Sequence, residues 1–218
     1  ALARALGIHR QRLHRYTKLP GFPAIGPDGY DVAAVREGDV FVVSGAAGGV
    51  GSVAVALLSE RGYNVTASTG RPDTHGYLIS LGAGQLILRS SLTDKGTPLQ
   101  SERWSGAIDT VGGTTLANVI AQTEINGAVA VCGLVGGAEL PTSVYPLILR
   151  GISVLGINSV YVTDFLRGQA WELLASDLTK SALETITAGI EPMSRLPELA
   201  EQIIAGQIQG RLVIDVNK

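Results

Sequence analysis

A chain of 218 residues with 45% hydrophobic and 17% charged side chains has ample material for a core and is neither disordered nor fibrous in composition. Its formal net charge of −2 excludes a general electrostatic affinity for nucleic acid or for an anionic membrane surface. One cysteine, Cys132, excludes an internal disulfide and a cysteine zinc cluster; set in an apolar run, it is expected to be a buried thiol in a reducing, cytoplasmic compartment.

No apolar segment approaches the ~18 residues that span a bilayer, so a soluble protein is expected. The 28 glycines are nearly double the usual share and suit an α/β sheet with glycine turns. Residues 1–27 carry Arg4, Arg10, Arg12, Arg15 and Lys18 and no acid, which superficially resembles a transit peptide. Within them residues 7–16 follow neither a helical nor an alternating period. His9 and His14 lack any acidic or cysteine companion and His75 is far away in sequence, so no metal site is expected.

The first predicted strand covers 39–44 and runs into Gly45-Ala46-Ala47-Gly48-Gly49-Val50-Gly51. Ala46-x-Gly48-x-x-Gly51 has the spacing of a dinucleotide fingerprint with alanine in the first glycine's place. Gly48 lets the backbone approach a pyrophosphate, Gly51 lets the following helix (52–60) pack on the strand, and that helix points free N–H groups at the phosphates. The second strand, 63–68, selects the cofactor. NAD enzymes present Asp or Glu about 20 residues beyond the fingerprint, to bind the ribose hydroxyls, and residues 62–71 contain neither. Ser68, Thr69 and the Gly70 backbone can instead donate to a 2′-phosphate and Arg71 can pair with its charge, which points to NADPH.

Further on, the sequence predicts a short helix at 77–81, strands at 85–88 and 107–111, a helix at 115–122 capped by Thr114, a buried strand at 127–133, a helix at 144–150 and a sixth strand at 152–157. Six parallel strands joined by crossover helices make a doubly wound parallel α/β sheet of the Rossmann type, with its ligand crevice at the strands' C-terminal ends. Helices at 164–175, 181–187 and 196–205 precede a terminal strand at 211–216, for which the sheet offers no obvious partner.

Several blocks in order, Ser44-Gly-Ala-Ala-Gly-Gly-Val-Gly-Ser52, Ala67-Ser-Thr-Gly-Arg71, Arg103-Trp-Ser-Gly-Ala-Ile-Asp-Thr-Val-Gly-Gly113, Cys132-Gly-Leu134, Leu149-Arg-Gly151 and Gly210-Arg-Leu-Val-Ile-Asp-Val216, resemble the zinc-independent medium-chain dehydrogenase/reductases, in the branch of acrylyl-CoA reductases and quinone oxidoreductase-like proteins. The resemblance implies NADPH-dependent reduction of an activated carbon–carbon double bond, such as that of an acryloyl-CoA-type enoyl thioester, with hydride delivered to the β-carbon. It places Ser44, Ala47, Gly48, Gly49 and Val50 at the pyrophosphate and Ser68, Thr69 and Arg71 at the 2′-phosphate. Arg89 falls on the adenine side, Cys132, Gly133 and Leu134 on the nicotinamide side, and Asn158 and Ser159 after the sixth strand; no catalytic residue is assigned. The plain alternatives are core packing for Cys132 and Leu134, a turn cap for Asn158-Ser159, and solvated arginines at 71 and 89.

Family members begin with a β-rich catalytic domain, whereas about 37 residues precede the first strand here. The expected organisation is an atypical segment at 1–37, an NADPH-binding domain at 38–160, and at 161–218 a helical and strand extension belonging to an incomplete second domain. An out-of-frame reading would account for the His- and Arg-rich start. The family's sixth strand is its usual dimer edge, which implies a homodimer. Quinone reduction and an inactive NADPH-binding module remain open beside thioester reduction. A short-chain dehydrogenase also fits Gly45-x-x-x-Gly49-x-Gly51, but no tyrosine is followed four residues later by the lysine such catalysis needs.

Overall fold

The computed structural model describes residues 38–217 and, upstream, the short strands Ile25–Gly26 and Gly29–Tyr30, which pair antiparallel. Two compact units are present, Ala1–Glu37 and Gly38–Lys218. The basic stretch, His9 and His14 lie outside the described residues.

Strand β1 (Val40–Val43) is followed by helix α1 (Gly49–Glu60), β2 (Asn64–Thr69), α2 (His75–Ser80), β3 (Gln85–Leu88), β4 (Trp104–Asp109), α3 (Gly113–Ala121), β5 (Thr123–Val131), α4 (Tyr145–Leu149) and β6 (Ser153–Gly156). These six strands form one sheet in the order β3-β2-β1-β4-β5-β6, and every neighbouring pair is parallel. This is the dinucleotide-binding strand order, and it reverses direction of growth between β1 and β4.

The core explains the pattern. Successive residues of a strand face opposite sides, and Val42 and Val43, both fully buried, seed separate clusters. Val43 packs with Val55, Val65 and Leu78 under α1 and α2. Val42 packs with Trp104, Leu116, Val119 and Ile120 under α3. At roughly 1.5–3 kcal/mol for each fully buried aliphatic side chain, these two layers hold helices on both faces of the sheet.

Some boundaries differ from the sequence expectation for physical reasons. β4 starts at Trp104, whose buried ring lies under the Arg103 guanidinium at 4.1 Å. α3 starts at Gly113 after Gly112 turns through φ 74°, so Thr114 sits inside the helix and is not its cap. The Gly112 N–H is instead bonded by the Asp109 carboxylate at 2.7 Å.

Beyond the sheet come α5 (Asp164–Asp177), α6 (Lys180–Ile186), β7 (Thr187–Pro192), α7 (Leu196–Ile204) and β8 (Arg211–Asp215). Thr163 and Thr179 cap α5 and α6 through their hydroxyls. The terminal strand does have a partner within the chain: β8 runs parallel to β7, crossing over through α7. The six-stranded sheet supplies no partner for this strand, but the strand is not left unpaired, because the extension supplies its own. Sequence reading missed β7 because Thr187-Ala-Gly-Ile-Glu-Pro192 offers only Ile190 as a strongly apolar strand former. No helix among the described residues is long and apolar enough to cross a membrane.

Candidate cofactor site

The C-terminal ends of β1 and β4 are tied together beneath the reversal point. Ser44, buried, donates its hydroxyl to Asp109 Oδ1 at 2.7 Å and accepts the Thr110 N–H at 3.0 Å. The Thr110 hydroxyl returns a bond to the Ser44 carbonyl at 2.9 Å. Burial raises the Asp109 pKa, against the pull of hydrogen bonds from Ser44 and from the Gly112 and Val111 backbone.

Above this knot the glycine loop turns into α1. Gly45 takes φ 60°, a region that disfavours other residues. Gly51 fits because a Cβ there would lie 2.7 Å from the Ala46 Cα, so the helix can meet the loop only without a side chain. Ser52 fixes the loop's carbonyls, donating to Gly48 O at 2.8 Å and Ala46 O at 3.2 Å, and Tyr77 donates its hydroxyl to Ser52 at 2.7 Å. Burial pushes the Tyr77 phenol up, which keeps it a donor.

The loop opens onto a cavity of about 660 Å³, within the range of small-molecule and cofactor pockets. Ala47, Gly48 and Gly49 form its floor, Thr69, Arg71 and Arg89 one end, Thr110, Val111, Val135 and Gly136 the other. Its third wall is the segment between α7 and β8, with Gly206, Ile208, Gly210 and Arg211. Gly210 donates its N–H to Ala47 O at 3.0 Å, which ties that wall to the glycine loop. Three arginines and no carboxylate line the cavity.

Six of the sequence-predicted residues therefore meet at one cavity: Ala47, Gly48, Gly49, Thr69, Arg71 and Arg89. The others lie elsewhere. Ser44 is beneath the loop, engaged with Asp109. Val50 is half-exposed on the first turn of α1, outside the lining. Ser68 is buried in β2 and its hydroxyl has no partner among the described residues. Cys132 is exposed, correcting the expected buried thiol, because β5 ends at Val131 and leaves Cys132 in the following loop. Partial enclosure and the Asp109 charge raise its pKa. Gly133 packs against the Thr110 backbone, where a Cβ would come 2.7 Å from the Thr110 Cα. Leu134 is 67% exposed.

Asn158 and Ser159 belong to a turn. The Asn158 carbonyl oxygen Oδ1 accepts the Val160 and Tyr161 N–H groups at 3.1 and 3.2 Å, and the Ser159 carbonyl accepts from Arg167. The lining residues that sequence reading missed include Thr110, Val111, Val135, Gly136 and the wall from Gly206 to Arg211. Arg211 was visible only as the start of a strand. Its side chain lies over Gly49, with Nε 2.8 Å from where a Cβ would be, and this puts a cation at the N-terminus of α1, beside the anion-binding position.

A family described as zinc-binding dehydrogenase matches residues 49–176. The chain belongs to this family. Zinc does not fit what is described of this member: among the described residues no group of three or more His, Cys, Asp or Glu is placed to hold a metal ion. The acrylyl-CoA reductase AcuI of Ruegeria pomeroyi is 49% identical over 179 residues, which cover 81% of this chain and 53% of that protein. The yhdH oxidoreductase of Salmonella enterica, crystallised with NADP, superposes with a TM-score of 0.82 at 44% identity, covering 84% of this chain and 56% of that one. The yhfP protein of Bacillus subtilis, crystallised with NAD, gives a TM-score of 0.78 at 38% identity over 94% of this chain and 59% of its own. The chain thus spans about half the length of the curated relatives it matches.

Proposed function

We propose that this chain is the cofactor-binding part of an NADPH-dependent oxidoreductase that reduces an activated carbon–carbon double bond, most specifically that of an acryloyl-CoA-type enoyl thioester. The observation that carries the reading is the cavity at the sheet's reversal point, which joins a glycine loop to three arginines and contains no carboxylate at the β2 end. A 2′-phosphate would be repelled by an acid at that end and held by a guanidinium. The identity with an acrylyl-CoA reductase over 81% of the chain supports the substrate class.

NADPH, when bound, supplies the hydride for the β-carbon of the alkene. The chain's own residues hold and orient. The free N–H groups at the start of α1, with Arg211 beside them, would bind the pyrophosphate. The cavity end lined by Thr69, Arg71 and Arg89 would receive the phosphorylated ribose, and the Thr110, Val111, Val135 and Gly136 wall would position the reactive ring. Residues 38–160 serve as the cofactor domain and 161–218 as an extension that closes the cleft through Gly206 to Arg211. Partners on this reading are a small-molecule enoyl thioester and a second copy of the chain, paired through β6.

Calorimetry with NADPH and NADH, followed by NADPH oxidation with acryloyl-CoA and with a benzoquinone, tests the proposal. Preferential binding of NADPH is expected, with any oxidation favouring the thioester over the quinone. Tighter binding of NADH, or no binding of either, would overturn it.

A further inference from the structure

We propose that Arg89, and not Arg71, is the guanidinium that distinguishes NADPH from NADH, and that Arg71 is a positioning residue holding the wall between α7 and β8. The assignment rests on the NADPH reading above and deepens it.

The two arginines differ in what already occupies them. Arg71 follows β2 and is half-buried. Its Nη1 donates to Gly206 O at 2.7 Å and its Nη2 to Ile208 O at 3.1 Å. The same segment reaches the glycine loop through the Gly210 N–H and Ala47 O, so Arg71 is one of two ties that fix the cavity's third wall. A phosphate drawing on this fork would compete with those carbonyls.

Arg89 has no such commitment. It follows β3, and the pairing of Thr69 with Leu88 brings it beside Gly70 at the end of β2. Among the described residues no hydrogen bond or ion pair engages its guanidinium. The group lies flat against Gly70: a Cβ built there would be 2.8 Å from Cζ and Nη2 and 2.9 Å from Nε. The bare Gly70 backbone is what lets Arg89 fold over the end of β2, where the cofactor ribose is read in sheets of this order. Arg89 lines the cavity, and a planar guanidinium fork of this kind suits bidentate phosphate recognition. Arg89 therefore contributes the discriminating charge, and the Gly70-Arg89 pair, rather than Arg71 alone, marks the cofactor preference.

The test is calorimetric titration of the full chain with adenosine 2′,5′-bisphosphate and with 5′-AMP, which differ only by the 2′-phosphate. Wild-type protein is expected to prefer the bisphosphate. Arg89→Ala should weaken the bisphosphate about ten- to hundredfold while leaving 5′-AMP within about threefold, and Arg89→Lys should recover part of the loss. Gly70→Ala, which displaces the guanidinium without removing it, should have the same selective effect. Arg71→Ala should instead weaken both nucleotides by similar factors and lower the melting temperature of the free protein. Selectivity lost in Arg71→Ala to the extent seen in Arg89→Ala, or retained in Arg89→Ala, would overturn the assignment. Absence of any wild-type preference would overturn the NADPH reading itself, a result distinct from both.

Discussion

Asp109 is the residue on which the geometry of the crevice depends. Its two carboxylate oxygens accept from Ser44 and from the Gly112 N–H, one from β1's end and one from the start of α3. Replacing it with alanine strands both donors in a buried place, so Asp109→Ala should cost about 3 kcal/mol, read as the midpoint of urea unfolding. The pH dependence follows from the raised pKa. The contribution of this group to stability is full below its ordinary value of 3.8 and declines as pH rises through the higher native value. Stability measured from acid toward neutral pH should therefore fall in wild type relative to Asp109→Asn; a constant difference would argue that the carboxylate is not perturbed. Legibility at this scale depended on whether a residue's role is steric or relational. Gly48 and Gly51 announced themselves because spacing alone states the steric demand, whereas Asp109 reads as one more strand-end acid until β1 and β4 are seen side by side. Cys132 misled for the same reason, since an apolar neighbourhood in sequence does not say on which side of a strand's end a residue falls.

Arg150 acts between elements. Its guanidinium donates to the Ala121 and Thr123 carbonyls at 2.9 and 3.1 Å and to Gln100 O, and Nε meets Glu102 at 3.2 Å. One side chain from the end of α4 thus satisfies the C-terminus of α3, the start of β5 and the loop before β4. Arg150→Met keeps the apolar stem but removes every donor, and should destabilise by about 3 kcal/mol. Arg150→Lys should recover only part of this in the same denaturation assay, because an ammonium cannot serve so many carbonyls in one plane. Gly51→Val tests the helix seat: the added side chain forces α1 away from Ala46, with a loss of about 1–3 kcal/mol seen as a lower melting temperature. The six parallel strands were legible because each contains a β-branched or apolar run. β7 was not, since its stability comes from pairing with β8, a contact that no local pattern encodes.

At the scale of the whole sheet, among the described residues the β6 margin is open and apolar. Among the described residues β6 pairs only with β5, and Val154 on it, together with Tyr145, Ile148, Leu149 and Ile157 nearby, is exposed. A sheet edge of this kind invites pairing with a second copy. Light scattering should show mass rising with concentration, and Val154→Lys should shift it toward the monomer; an unchanged mass in the variant would move the contact elsewhere.

The two tryptophans divide between these environments, Trp104 at 1% exposure beneath Arg103 and Trp171 at 65% on α5. The protein accordingly carries two optical reporters. Acrylamide should quench one emitting population readily and spare the other, and Trp171→Phe should leave only the shielded, blue-shifted fluorescence, whose red shift on heating then reports the melting of the sheet's inner face alone.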